Sequence, residues 1–366
     1  MSIFDQHYKL THRFQGIVNA MGDEIIESLE EAAETISGKI LLLEAKAEQT
    51  KSLVRKKKLL IKQRAEIEKV LAGIYKDIGK EIKDKSIEVA QAMPKIADRM
   101  LKKVIPPNIK ITIGIPKLSK KEVLTWFESS QIEGLFFNDY LAKLQGSTSQ
   151  RIINQTRLSL LMNESSKQAA KRIQDALAIS RKSAMAFAQT AIHQARMYGQ
   201  RHFDAENAER LKGLRFVCEL DRRACSRCSQ MDSKVYKVDD APQPPIHMLC
   251  RCHLEPVFKN GELNRYLAKT QSRVARLETE ARTVKHRDGT TSTKYEALEA
   301  RFPKLKQNYN QWMSSMIKSS DPAERAFALE ALGKKRFALV RSGKLQLKSL
   351  FYGGKLRTLK ELERLT

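Results

Sequence analysis

Hydrophobic residues return at gaps of three and four through the first hundred positions. Ile25, Leu29, Ala32, Ile36, Ile40, Leu43 and Ala47 form one stripe, and Leu71, Ile74, Ile78 and Ile82 form a second. One face of an α-helix repeats every 3.6 residues, so residues 16–104 are predicted as long amphipathic helices. Arg55-Lys56-Lys57-Lys58 interrupts the pattern between the stripes. A helical hairpin packed on itself and an oligomeric coiled coil fit equally, because neither stripe is sustained over many heptads.

Pro106-Pro107 ends this region. Ile109, Ile111, Ile113 and Ile115 then alternate with polar or small residues, the period of a half-buried strand. Ser119-Lys120-Lys121-Glu122 is a capping box, and helix is predicted from there to Arg210, punctuated at Gly146-Ser147-Thr148. Within it Ala184, Ala188, Ala191 and Ala195 make a small-residue stripe where another helix can approach closely. After Lys212-Gly213 the period becomes two: Phe216, Cys218 and Leu220 share one face of a strand, with further strands predicted at 235–238 and 254–258. The tail returns to helix, with Asp321-Pro322 as a start, Gly333 as a stop and Thr358-Leu359-Lys360-Glu361 as another capping box.

The fold class that follows is mainly α with a small α+β module. Three parts are expected: a helical arm over 1–104, a middle domain over 105–260 whose sheet carries a Cys/His module at 218–260, and a basic helical region over 261–366. A length of 366 residues suits two or three domains. No apolar run approaches the ~20 residues of a membrane span, and the first residues lack the charged-then-apolar pattern of a secretory signal.

Charge refines this division. Lys and Arg number 67 against 42 Asp and Glu, a net +25 that predicts an anionic partner, most simply nucleic acid. The net charge is +5 over 1–110, +7 over 111–217, +1 over 218–260 and +12 over 261–366. A DNA-reading zinc finger carries its own cations to the groove, so the near-neutral Cys/His module reads as structural. Lys334, Lys335, Arg336, Arg341 and Lys344 in the tail are the expected DNA contacts, with a solvated helical surface as the alternative reading of the same charge.

Four of the five cysteines lie in Cys225-x-x-Cys228 and His247-x-x-Cys250-Arg251-Cys252. Paired soft donors at such gaps aim two side chains at one Zn²⁺, and a second pair completes a tetrahedron. Cys225, Cys228, His247 and Cys250 are the expected ligands, with Cys252 as the substitute for His247 and with His253 and Cys218 as bystanders. Buried thiols without metal, disulfides and a redox dithiol are the competing readings. Catalytic zinc lacks its motifs, since neither H-x-E with P-C-x-x-C nor H-E-x-x-H occurs. Arg251, between two cysteines on an incoming strand, is expected to point away from them and to fork onto Asp221 or Asp232.

The string from Asp221 through Arg223, Cys225, Cys228 and Asp232, followed by Pro244-Pro245, His247 and Cys250-Arg251-Cys252, resembles the Mu F-like minor head proteins of tailed bacteriophages, also called head morphogenesis proteins. Ala224 stands in place of the family's threonine and Ser233 in place of its turn glycine. Phe187 to Ile192 is similar, in a diverged form, to the helix that carries A-R-T-E in many relatives; Gln189 and Ala191 replace its arginine and glutamate. Looser similarity extends to 332–345 and 356–359.

The resemblance implies a non-enzymatic protein of few copies that joins the procapsid beside the portal. Its partners would be portal protein, capsid or scaffolding protein and, without sequence preference, packaged DNA. It would assemble in the host cytoplasm and reside inside the virion head. A rival reading is a cytosolic zinc-containing nucleic-acid-processing enzyme with His247 and Arg251 at its site. Asp221 and Asp232 are the only carboxylates that the motif sets beside the cysteines, too few to hold Mg²⁺ firmly. A zinc-ribbon regulator of transcription fits the module's neutrality poorly.

Overall fold

The computed structural model describes residues 3–48, 53–162, 164, 166–221, 224–270, 278–285, 291–298, 307–352 and 355–365. Two long helices open the chain, α1 (Ile3–Glu48) and α2 (Leu53–Val104). α1 starts well before residue 16. Arg55 to Lys58 lie within α2 rather than at a break, and the residues between the helices, 49–52, lie outside the described residues.

A short extended stretch leads to α3 (Lys120–Ser129), which opens on the expected capping box. A two-residue hairpin follows, β1 (Gln131–Ile132) and β2 (Leu135–Phe136), and then α4 (Phe137–Leu161) and α5 (Ser166–Glu206). β3 (Leu211–Val217), α6 (Ser226–Met231), β4 (Val235–Tyr236) and β5 (His253–Phe258) form the Cys/His module. Its antiparallel sheet has the order β4-β3-β5. Beyond it come α7 (Gly261–Thr270), the hairpin β6 (Glu278–Lys285) with β7 (Thr291–Leu298), and α8 (Tyr309–Lys318). α9 (Pro322–Leu332), α10 (Lys334–Arg341), a ribbon of β8 (Phe351–Tyr352) with β9 (Lys355–Leu356), and α11 (Leu359–Glu363) complete the chain. The architecture is mainly α with a small α+β module. Among the described residues no helix is long and apolar enough to cross a membrane.

Three expectations need correction. Residues 109–115 form no strand; burial alternates from Ile109 to Ile113, but Ile115 is exposed. The place of a partner strand is taken by one side chain: Asn207 Oδ1 accepts from the Gly114 N–H at 2.9 Å and Asn207 Nδ2 donates to the Gly114 carbonyl at 2.9 Å. Gly146-Ser147-Thr148 does not break the helix but lies inside α4, where both hydroxyls bond back to the Leu144 carbonyl. The Thr148 hydroxyl also meets the Tyr75 hydroxyl at 2.7 Å, so α2 and α4 share a polar contact in a buried interface. The tail, expected to be helical, contains the β6–β7 hairpin.

Two main hydrophobic cores organise these elements, beside a small cluster of Ile87, Ala90, Leu118, Val123 and Ala195 that joins α2, α3 and α5. The larger one joins α1, α2, α4, α5 and the sheet, from Leu10 to Leu267, so the first two helices pack on α5. The alanine stripe of α5 is fully buried, and helix does approach closely there. At Gly199 a Cβ would sit 2.3 Å from the Ala90 carbonyl oxygen of α2. The smaller core, built around Trp312 from α8 to α11, takes in Leu220 of the module and packs against Ala224. The Cys/His module therefore lies at the seam between the cores.

Close approach at Gly199 predicts an asymmetric response to alanine. Gly199→Ala is expected to destabilise by about 1–3 kcal/mol through overpacking, whereas Gly73→Ala, at an open position on α2, is expected to stabilise by up to about 1 kcal/mol. Denaturant unfolding reads both; a neutral Gly199→Ala contradicts the packing described.

Candidate metal centre

The register of the sheet sets the site. β3 and β5 run antiparallel with Val217 opposite His253. Cys218 leaves the end of β3 where Cys252 enters β5, and their sulfurs lie 3.4 Å apart. Cys250 and Cys252 thus sit on the lead-in to β5 rather than on the strand itself, and both are buried.

The chain after β3 turns back through α6. Cys225 is the N-cap of this helix, its sulfur accepting from the Cys228 N–H at 3.3 Å. The next turn passes through Ser233, which adopts the left-handed φ of 67° that glycine tolerates best, and its N–H donates to the Phe216 carbonyl at 2.7 Å. The turn thus keeps its conformation with serine in place.

The third segment, 241–252, is pinned at several points. The Pro244–Pro245 peptide is cis. The Met248 N–H donates to Glu133 Oε1 in the β1–β2 turn at 3.0 Å, and the Leu249 N–H donates to the Thr190 hydroxyl of α5 at 3.0 Å. His193, one turn further along α5, donates from Nε2 to the Cys252 carbonyl at 2.8 Å. Burial, followed by the charge of Arg196, pulls His193 down to about 4 and keeps it neutral.

Two overlapping donor groups result, Cys225-Cys228-His247 and Cys228-Cys250-Cys252, with Cys228 common to both. Cys228 Sγ lies 3.4 Å from His247 Nε2 and 4.0 Å from Cys250 Sγ. Tetrahedral Zn²⁺ with bonds of about 2.0–2.3 Å separates neighbouring donors by about 3.5–3.8 Å, so these spacings fit a metal. His247 Nδ1 donates to the Met248 carbonyl at 2.8 Å, which turns Nε2 toward the thiols. Metal-ligating histidines are oriented by such outer hydrogen bonds. The Cys228 thiol beside it, and then His247, hold Cys225 down to about 4, and contact with Cys228 lowers Cys250 as well. These residues could hold a metal ion. Cys218, expected to be a bystander, lies against Cys252 at the edge of the cluster.

The charged residues divide the work around the thiols. Arg251 forks onto Asp221, with its two terminal nitrogens 2.5 and 2.9 Å from the carboxylate oxygens, and also donates to Glu219. Asp232 takes a different part: Oδ1 accepts from the Cys218 N–H at 2.8 Å and Oδ2 from the Tyr309 N–H at 2.7 Å, joining the module to α8. Glu219, Thr190, His193 and Tyr309 are contributors that the sequence motif does not mark. Thr190 and His193 are three apart on α5, one turn of a helix face, and that spacing beside the alanine stripe was the available signal.

Lys334, Lys335, Arg341 and Lys344 are exposed, whereas Arg336 donates to the Arg357 carbonyl at 2.8 Å.

Residues 150–255 match the family model described as Phage Mu protein F like protein. The match covers α5, the sheet up to β5 and the Cys/His cluster, and it agrees with the family that the cysteine motif resembles. No curated protein and no solved structure matches the chain.

The Arg251 fork and the Ser233 turn give opposite predictions. Arg251→Lys keeps the charge but loses the paired geometry, and is expected to cost about 1–3 kcal/mol. Ser233→Gly is expected to gain about 1 kcal/mol by relieving the left-handed serine. Thermal unfolding of both variants tests this, and an unchanged midpoint for Arg251→Lys contradicts the role of the fork.

Proposed function

We propose that this chain is a non-enzymatic minor head protein of a tailed bacteriophage, acting in head assembly next to the portal and in contact with DNA. The observation that carries this reading is the Phage Mu protein F like match over 150–255, the segment that brings the thiol cluster together. In the proposal the α1–α2 pair, packed along α5, is the face offered to portal, capsid or scaffolding protein. The protein assembles in the host cytoplasm and ends inside the head.

The module serves as a rigid junction. Zn²⁺ is held by Cys225, Cys228, His247 and Cys250, with Cys252 as the alternate donor for His247. The metal supplies a structural clamp, since four protein donors close the coordination sphere. The two carboxylates that the enzyme reading needs are engaged elsewhere, Asp221 with Arg251 and Asp232 with two backbone N–H groups. Their engagement supports the structural reading over a zinc-containing nucleic-acid-processing enzyme.

DNA contact belongs to the tail in this proposal. Residues 331–360 contain nine Lys and Arg and no Asp or Glu. Such a stretch favours phosphate without regard to sequence.

Three outcomes are expected. Purified virions and procapsids contain the protein, and its absence from both overturns the head assignment. Metal analysis finds one zinc per chain, lost in Cys228→Ser and kept in Cys218→Ser; zinc retained by Cys228→Ser overturns the ligand set. The full chain binds duplex DNA with affinity falling steeply in salt, and the pair Lys334→Glu and Lys335→Glu reduces the log–log slope by about 2. A slope unchanged by that pair removes α10 from the contact.

A further inference from the structure

The β8–β9 ribbon presents an aromatic ring that neither core uses. Tyr352 is 70% exposed, although it stands on a strand whose neighbours Leu347 and Leu350 are buried in the smaller core. The Arg357 guanidinium carbon lies 4.7 Å from the centre of the Tyr352 ring, in the range of a cation–π contact. One side of the ring is thus backed by a cation while the ring as a whole remains largely open to solvent. Antiparallel pairing of Phe351 with Leu356 and of Tyr352 with Lys355 puts Tyr352 and Arg357 on one face of the ribbon.

The ribbon is tied to the cations of the tail. Arg336 of α10 donates to the Arg357 carbonyl, and the Arg357 N–H donates to the Leu350 carbonyl at 2.8 Å. The Leu345 N–H donates to the Leu339 carbonyl at 3.1 Å, folding the segment after α10 back onto that helix. Exposed Lys344 and Lys348 lie on the connection between α10 and β8. The ring therefore belongs to the same small unit as the acid-free basic stretch.

We propose that Tyr352 is a stacking platform for an unpaired base, so that the tail binds single-stranded DNA in preference to duplex. This inference rests on the proposed DNA contact of the tail and names its substrate class. A cationic surface alone recognises phosphate in either form, whereas an open aromatic ring backed by arginine adds a contact that only an unstacked base can make. Bases within a duplex keep their faces covered by their neighbours.

The test uses the full chain and three fluorescent probes of equal phosphate number: a thymidine strand, the same strand with abasic sites, and a duplex. Fluorescence anisotropy is expected to show the thymidine strand bound on the order of tenfold more tightly than the abasic one, the contribution of one stacked base. Tyr352→Ala is expected to abolish that difference while leaving duplex and abasic binding unchanged, and Tyr352→Phe to preserve it. Equal affinity of the wild-type chain for the thymidine and abasic strands overturns the platform while the phosphate contact stands. Equal loss on all three probes in Tyr352→Ala also overturns it, because the substitution has then disturbed the tail rather than a base contact. Failure of the wild-type chain to bind any probe overturns the DNA contact itself and the platform with it.

Discussion

The fork between Arg251 and Asp221 is the interaction on which the module depends. It joins the lead-in of β5 to the loop after β3, two segments that no continuous ladder holds beyond the Val217–His253 pair. All three participants, Arg251, Asp221 and Glu219, are largely withdrawn from water. Breaking such a buried pair leaves a bare charge in a dry site, a cost of several kcal/mol. With the fork in place, Cys250 and Cys252 face Cys228 and Cys218, and Leu220 and Ala224 on either side of Asp221 turn toward the smaller core. Asp232 completes the seam by accepting from both Cys218 and Tyr309. A structural metal would therefore clamp a junction already aligned by charge and backbone hydrogen bonds.

Much of this was legible in the sequence because the local signals were strong. Capping boxes at Ser119 and Thr358 and the alanine stripe of α5 each carry their own stereochemistry, and the structure follows them; the two-residue period through Phe216 stops with β3 at Val217, and Leu220 joins the other core. The failures share a cause. Ile109 to Ile115 has the alternation of a strand, but alternation reports burial on one side and not the presence of a partner; Asn207, nearly a hundred residues away, takes that place. Gly146-Ser147-Thr148 reads as a break only if its hydroxyls are imagined in water, whereas in α4 they return to the Leu144 carbonyl. At the site, the Cys and His positions are concentrated enough to be picked out by spacing; Thr190 and His193 leave only their helical spacing beside the alanine stripe as a signal, and Glu219 and Tyr309 act through tertiary contacts that no local pattern encodes.

The division between a near-neutral module and a basic tail gives the proposed function its physical shape. Electrostatic binding to DNA would need cations clear of acids, and residues 331–360 carry nine Lys and Arg with no Asp or Glu. A junction between two cores needs the opposite, charges paired and dry, and the module supplies that. In the proposed function the tail would meet a polyanion without drawing on Arg251, which the seam requires.

Hydrogen exchange on the zinc-loaded chain, before and after chelation, tests the central claim most directly. If the cluster clamps the seam, removing zinc lowers protection in β3 and β5 and also in α8, which meets the module at Asp232, at α6 and in the smaller core. Unchanged protection in these elements after complete loss of zinc would contradict a structural metal at the junction.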